Sequence, residues 1–187
     1  QTRRILSYGT DMWKLDRLND LSRRICATQP SFEVIDQEYE KILKGPTYSP
    51  AVQCAVYAMT AGAFAVFFGG NLWDGFASLF VGALIRVTLY AFAAIHMKAI
   101  FSNILCSLIS GIACILVCYI GLGRHVEMIM IGNIMLLIPG VLMTNSFRDF
   151  ISGDMISGLL HFSEAMITAV CVAVGFIMSK MLLGGML

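Results

Sequence analysis

Charged side chains are scarce in this sequence. They make up 13% of its 187 residues, whereas hydrophobic residues make up 58%. Soluble domains carry about 25% charged and about 45–50% apolar residues. The composition therefore excludes an ordinary soluble domain and predicts an all-α, polytopic membrane protein. The net charge of +1 and the lack of a basic stripe give no indication of a nucleic-acid partner.

The sequence also lacks the patterns of several common sites. Its six cysteines do not read as a disulfide set, because most of them lie in apolar runs, where thiols behave as small hydrophobic side chains. Cys114 and Cys118 share a helix face without His or carboxylate neighbours at ligand spacing, so no metal site is predicted. No GxxxxGK[ST] loop occurs, so ATP is not expected to act on this chain. We predict no cofactor and no catalytic residues.

Most of the charge is concentrated in residues 1–49, which hold eight of the 13 Lys and Arg residues and seven of the 12 acids. We predict that this part is a cytoplasmic amphipathic segment. TRRILSYG, residues 2–9, is consistent with a short strand. An amphipathic helix over 11–27 and a second over 31–45, with Ser31 as its N-cap, should follow. Their mixed charges favour a water-exposed face over a membrane-surface helix.

From residue 50 onward the chain reads as membrane spans. A bilayer core of about 30 Å needs about 20 apolar residues in a helix. This length predicts a five-helix transmembrane domain over 50–187. Its spans are placed at 51–69, 72–94, 99–120, 126–143 and 155–181.

The positive charges predict how the spans are oriented. Lys41 and Lys44 precede the first span, Lys98 lies between the second and third, and Arg148 precedes the fifth. The opposite ends hold fewer cations. Since positive charge favours the cytoplasmic side, we expect a multi-pass protein of the cytoplasmic membrane with its N-terminus inside and its C-terminus outside. Arg86 should extend its side chain to the inner interface.

Small residues follow one face of two spans. The first span has Ala58, Gly62 and Ala65, and the third has Asn103 followed by Ser107, Ser110 and Cys114. Such faces allow helices to approach closely in lipid, so plain helix packing accounts for them. Asn103 can in addition donate a hydrogen bond across helices. We also expect these faces to leave one side open for a second subunit or another copy.

Pro139 and Gly140 interrupt the fourth span. Proline removes a backbone hydrogen bond and clashes with the preceding turn, and glycine adds conformational freedom. A broken helix is tolerated in a membrane where it is buried in protein or lines a wet cavity, and transporters place substrate sites at such breaks. A simple kink, or the natural end of the span, is the alternative interpretation.

The polar loop after the break supplies candidates for a substrate pathway, namely Asn145, Arg148, Asp149 and Asp154. Arg148 can pair with Asp149 or with Asp154. Asp154 directly precedes the fifth apolar run, so it is also a natural N-cap whose carboxylate complements the helix dipole.

The fifth span carries the sharpest signal for function. Ser157, His161, Glu164, Thr168, Cys171 and Gly175 recur at spacings of three and four, which places them on one helix face. Counted from Met155, Glu164 lies about 15 Å along the helix, near mid-bilayer. Ionisable groups at that depth usually face a cavity or a partner. We predict a solute or proton pathway, with a buried hydrogen bond to Asn103 or Asn133 as the structural alternative.

The stretch from Ile138 to Ala165 resembles the signature of the threonine/serine exporter family. Members show Pro-Gly, an Arg-Asp pair, Gly-Asp, Ser-Gly and Glu-Ala. These features correspond here to Pro139, Gly140, Arg148, Asp149, Gly153, Asp154, Ser157, Gly158, Glu164 and Ala165. Leu18–Ile25 and Phe67–Gly70 also look like family segments. His161 departs from the pattern, since many relatives carry Arg there, so a fixed positive charge is not implied at this position.

The resemblance implies more than the residues show by themselves. Some family members join two membrane halves in one chain, and others encode the halves separately; one split pair resembles a succinate exporter. This chain looks like the first, larger half of the split form. It would then require a small membrane subunit that resembles the second half, and residues 1–49 would end a larger cytoplasmic region.

These observations predict a subunit of a proton-coupled secondary exporter of small polar metabolites, either threonine/serine-type amino acids or dicarboxylates such as succinate. Two alternatives remain. The chain can be a non-transporting scaffold for a partner subunit. It can also be an intramembrane hydrolase, because Ser157 and His161 lie one turn apart and can form a nucleophile–base pair.

Overall fold

The computed structural model describes residues 11–45 and 48–186, and within these ranges it contains helices and turns but no strand. The all-α prediction is therefore confirmed for the described chain, while the strand predicted over 2–9 lies outside the described residues. The chain divides into two compact units, Gln1–Tyr48 and Ser49–Leu187. The helices are α1 (Met12–Thr28), α2 (Phe32–Leu43), α3 (Pro50–Phe67), α4 (Leu72–Ala94), α5 (Ala99–Tyr119), α6 (Val126–Ile134), α7 (Gly140–Ile151) and α8 (Met155–Leu183).

The first unit is a pair of amphipathic helices, as the sequence predicts. The carboxylate of Asp11 accepts the backbone N–H of Lys14 at 3.1 Å and caps α1. α1 ends at Gln29, whose φ of 44° lies in the left-handed region and turns the chain into α2. Arg24 and Glu38 join the two helices through an ion pair of 2.6 Å. Leu21 and Ile42 are the buried residues of these helices.

The second unit contains four helices that are long and apolar enough to cross a membrane, namely α3, α4, α5 and α8. Their bounds agree with four of the predicted spans to within about two residues. Local sequence explains where they begin. Pro50 is the first residue of α3 and Ser49 caps it, while Asn71 and Asp74 form a capping box at the start of α4.

The fourth predicted span is not one continuous helix in the structure. In its place stand two short helices, α6 of nine residues and α7 of 12 residues, separated by a turn over 135–139. The interruption at Pro139 is confirmed. It begins several residues earlier because the proline ring clashes with the carbonyl four residues before it and disfavours helical geometry at Ile138. Five uninterrupted transmembrane helices are therefore not present in the described chain.

α6 and α7 together carry the chain from one end of the unit to the other. The carboxylate of Glu127, at the start of α6, lies 3.7 Å from the ammonium of Lys180, near the end of α8. α8 has 29 residues and is about 44 Å long, so its start lies at the opposite end. Since α7 leads directly into that start, the α6–α7 pair covers the length of the bundle in two pieces.

Small residues bring the long helices together, as the sequence predicts. A Cβ added at Gly82 of α4 would lie 2.8 Å from the carbonyl oxygen of Tyr57 on α3, and one at Gly132 of α6 would lie 2.7 Å from that of Ala61. On α8, a Cβ at Gly175 would lie 2.6 Å from the carbonyl oxygen of Ile104 on α5. These small faces are covered by helices of the same chain. The close approach of these helices is the plain packing that small residues allow, and the second subunit stays a prediction.

Candidate functional site

α7 and the first turns of α8 form a helical hairpin that holds most of the predicted site residues. The connection is a Schellman turn. The N–H of Gly153 donates to the carbonyl of Phe150 at 3.1 Å, and the N–H of Asp154 donates to that of Asp149 at 2.9 Å. Gly153 has a φ of 86°, a left-handed conformation that glycine adopts without steric cost. The segment predicted as a loop is thus mostly helix, and only its last residues turn.

Two buried contacts hold the hairpin closed. Ser146 of α7 is fully buried, and its hydroxyl donates to the carbonyl of Gly158 on α8 at 2.9 Å. Gly158 lies against the ring of Phe150, because a Cβ added there would approach the ring to 2.6 Å. The absent side chain at Gly158 therefore allows α7 to lie directly on α8.

An imidazole and a carboxylate meet across this hairpin. Nδ1 of His161 lies 2.8 Å from Oδ2 of Asp149, and both side chains are half-buried. One helical turn nearer the start of α8, the hydroxyl of Ser157 donates to Oδ2 of Asp154 at 2.9 Å. The His161–Asp149 contact therefore joins a basic and an acidic side chain across the two helices of the hairpin.

These contacts decide several of the pairings considered from the sequence. Arg148 is exposed and forms no ion pair with Asp149 or Asp154 in the described structure, so the predicted pairing is wrong. Asp154 does occupy the N-cap position of α8, but its carboxylate accepts a hydroxyl rather than a backbone N–H. Ser157 and His161 are each bonded to a different carboxylate, so the nucleophile–base pair of a hydrolase is not formed.

Glu164 lies close to one end of the region where α5 and α8 pack together. α5 and α8 run parallel, since Gly175 packs on Ile104 and Ser107 and Ser179 packs on Gly111. Glu164 lies about 16 Å before Gly175 on α8, whereas α5 begins only about 12 Å before Ser107. Glu164 is therefore level with the turn before α5, at the end of the bundle, and its side chain is exposed. Its depth in the membrane, counted from Met155, stays a prediction, and α8 extends beyond the start of the helix it packs against.

The other predicted residues form no hydrogen bond with His161 or Asp149 in the described structure. Pro139 precedes α7, Gly140 is its first residue, and Asn145 is half-buried on it. Asn133 is fully buried on α6, where its Nδ2 donates to the carbonyl of Ile129 at 2.8 Å; its Oδ1 has no partner in the described structure. The carbonyl of Asn103 on α5 accepts the hydroxyl of Ser107. His161 pairs with Asp149 instead of either asparagine.

Sequence reasoning missed a buried carboxylate at the opposite end of the bundle. Asp74 is fully buried, and its Oδ1 accepts the backbone N–H groups of Arg124 and His125 at 2.6 and 3.0 Å. Its Oδ2 accepts the N–H of Asn71 at 2.9 Å and lies 2.8 Å from Nδ1 of His125. The capping-box spacing of Asn71 and Asp74 was visible in the sequence. The hydrogen bonds that Asp74 accepts from the turn before α6 could not be read from the sequence.

Comparison with known proteins identifies a family for this chain. The family model for threonine/serine exporters (ThrE) matches residues 1–183, which include the described helices of both units and the whole hairpin. No curated protein and no solved structure matches the chain.

Proposed function

The chain belongs to the threonine/serine exporter family, and on that basis we propose that it is a subunit of a proton-coupled secondary exporter. Its solutes are small polar metabolites, either threonine/serine-type amino acids or dicarboxylates such as succinate. The observation that supports this proposal best is the conjunction of a broken helix, α6–α7, with an imidazole–carboxylate contact, His161–Asp149, on the hairpin that follows the break.

In this proposal α6 and α7 form a fifth crossing made of two half-helices. α6 is enclosed by α3, α4 and α5, and it ends inside the bundle beside the buried Asn133. Non-helical backbone at that depth is tolerated where it is buried in protein or lines a wet cavity. The turn over 135–139, with Pro139, Gly140 and the amide of Asn133, would then contact the solute, and Asn103 would lie farther along the pathway.

The hairpin end is the cytoplasmic end in this proposal, because Lys98 and Arg148 lie there. Asn145, Arg148, Asp154 and Ser157 form the entrance. His161 and Asp149 bind the proton that enters in exchange for the outgoing solute. Glu164 lies on the same face of α8 as His161 and is the second acidic group of the pathway. The protein then spans the cytoplasmic membrane with its C-terminus outside.

We further propose that the exporter is completed by a second membrane subunit or another copy of this chain. The four long helices expose large apolar side chains along much of their length, such as Met59, Phe80 and Met181. The small faces of α3 and α5 are already occupied, so the partner would pack on the larger side chains. A purified chain that is monomeric, alone and fully active in liposomes would contradict this part of the proposal.

Efflux from proteoliposomes tests the function itself. Wild-type protein, with its partner if one co-purifies, should release preloaded threonine, serine or succinate when a pH gradient is imposed. Glu164→Gln and His161→Gln retain much of the side-chain shape and remove a titrating group, so we expect both to abolish gradient-driven efflux at normal expression and oligomer size. Glu127→Gln, an exposed acid at the other end, is the matched control and should retain efflux.

Two results would contradict the proposal. Wild-type protein that releases none of these solutes under any gradient would be the behaviour of a scaffold. Efflux by Glu164→Gln and His161→Gln with the wild-type pH dependence would mean that neither group binds the transported proton.

A further inference from the structure

Arg86 is held at a defined position between two of the long helices. Its Nε donates to Oε1 of Gln53 on α3 at 3.0 Å, and its Nη2 donates to the same oxygen. The guanidinium carbon lies 5.8 Å from the centre of the Tyr57 ring and 6.0 Å from that of Tyr90. The sequence predicted a side chain extended to the inner interface. The guanidinium is bonded to a neighbouring helix close to the start of that helix, since Gln53 is the fourth residue of α3, and it is flanked by two aromatic rings.

No acidic side chain of the surrounding helices neutralises this cation. Between Pro50 and Gly123 the sequence has a single acid, Asp74. Asp74 lies 12 residues before Arg86 on α4, about 18 Å away. Its carboxylate oxygens already accept the backbone N–H groups of Arg124, His125 and Asn71. The helices that flank the guanidinium therefore supply no counter-ion for it. Cationic side chains in membrane segments often mark a solute or ion pathway.

The geometry leaves room for one particular kind of anion. A guanidinium has five N–H donors, of which Gln53 takes two. The unused donors include both on Nη1, and a planar carboxylate can accept two parallel N–H groups from such a fork. Gln53 and the two rings restrict the rotation of the guanidinium, so the fork is oriented before any ligand arrives.

We propose that Arg86, positioned by Gln53, Tyr57 and Tyr90, binds the carboxylate group of the exported solute. This inference rests on the proposed function and names the residue that would hold the carboxylate which amino acids and dicarboxylates share. Of the two rings, that of Tyr57 packs against the hydrophobic core of the bundle, and that of Tyr90 is exposed. A lipid phosphate offers the same oxyanion chemistry, and the experiment must separate the two.

Chemical protection of Arg86 in the wild-type protein provides that separation. The full chain in phosphatidylcholine vesicles is treated with phenylglyoxal, which modifies guanidinium groups, and the modified peptides are quantified by mass spectrometry. L-Threonine or succinate should slow modification of Arg86 at least about threefold, and their amides, threoninamide and succinamide, should not. Arg124, exposed at the other end of the bundle, is the control in the same sample.

Two results of this assay would overturn the inference. One is modification of Arg86 at the same rate with and without the carboxylate solutes. The other is protection only when phosphatidylglycerol replaces phosphatidylcholine, which would assign the site to lipid.

Efflux by variants completes the test. Arg86→Gln should raise the KM for the carboxylate solute about tenfold or more, Arg86→Lys should have a smaller effect because it keeps the charge and loses the fork, and Arg124→Gln should have none. Wild-type efflux with an unchanged KM in Arg86→Gln overturns the inference and leaves the proposed function standing. Absence of efflux in the wild type counts against the proposed function, and the protection assay then decides the role of Arg86 independently.

Discussion

At the scale of single residues, buried charge is stabilised only where hydrogen-bond donors surround it. Asp74 illustrates this rule, since both of its carboxylate oxygens accept backbone N–H groups inside the protein and His125 adds a side-chain contact. The donors come from the turn before α4 and the turn before α6. The carboxylate therefore ties two connections of the bundle together at one end.

Asp74→Asn should weaken this tie. The amide nitrogen of Asn is a donor, so on one side of the group it would face a backbone N–H instead of accepting it. We expect a loss of about 1–3 kcal/mol in the free energy of unfolding, measured as a lower thermal midpoint in detergent. Glu127→Gln serves as the control, because Glu127 is exposed. Equal midpoints for Asp74→Asn and wild type would show that the carboxylate is not needed.

At the scale of helices, packing depends on positions where no side chain fits. Gly175 of α8 faces the carbonyl of Ile104 on α5, a backbone atom that cannot move aside without displacing its helix. Gly140, at the start of α7, has nothing within 4 Å of the position of a Cβ. Gly175 and Gly140 therefore provide a test position and its control for the same substitution.

Gly175→Ala should separate α5 from α8 and cost about 1–3 kcal/mol of stability, whereas Gly140→Ala should be close to neutral. Thermal midpoints of the two purified variants, recorded in the same detergent, provide the measurement. A Gly140→Ala variant that is the less stable of the two would contradict the packing described for α5 and α8.

The break between α6 and α7 gives a second prediction at this scale. Pro139→Ala restores a backbone N–H and removes the clash with the carbonyl of Met135, so the turn over 135–139 can become helical. We expect efflux per folded protein to fall more than membrane expression does. If efflux per folded protein stays at the wild-type level, the turn serves only to connect two helices.

At the scale of the whole molecule, the proposed orientation can be tested by labelling. Cys26 of α1 should be cytoplasmic, and a cysteine replacing Leu72 should be external in a Cys26→Ser background. Leu72 is suited to this test because it is the first residue of α4 and its side chain is 73% exposed. A membrane-impermeant maleimide added to intact cells should label the Leu72→Cys variant and not the wild type. The opposite pattern would reverse the orientation.

Sequence by itself determined the class of the protein and most of its helices. Long apolar runs form membrane helices whatever surrounds them, and caps such as Asn71 act within one turn, so both can be read locally. The motif around Pro139–Ala165 likewise led to the family, which the match over residues 1–183 confirms. The interruption at Pro139 was predictable for the same reason, since the clash of its ring is local.

Only the tertiary structure decided which polar side chains meet and where they lie along the bundle. His161 pairs with Asp149, Asp74 with a turn 50 residues away, and Arg86 with Gln53, all between helices whose relative position no local pattern encodes. The position of Glu164 along the bundle follows from the offset between α8 and α5, which the close approach of Gly175 to Ile104 determines. Such contacts depend on which small residues face each other in three dimensions, and that is why length and periodicity did not reveal them.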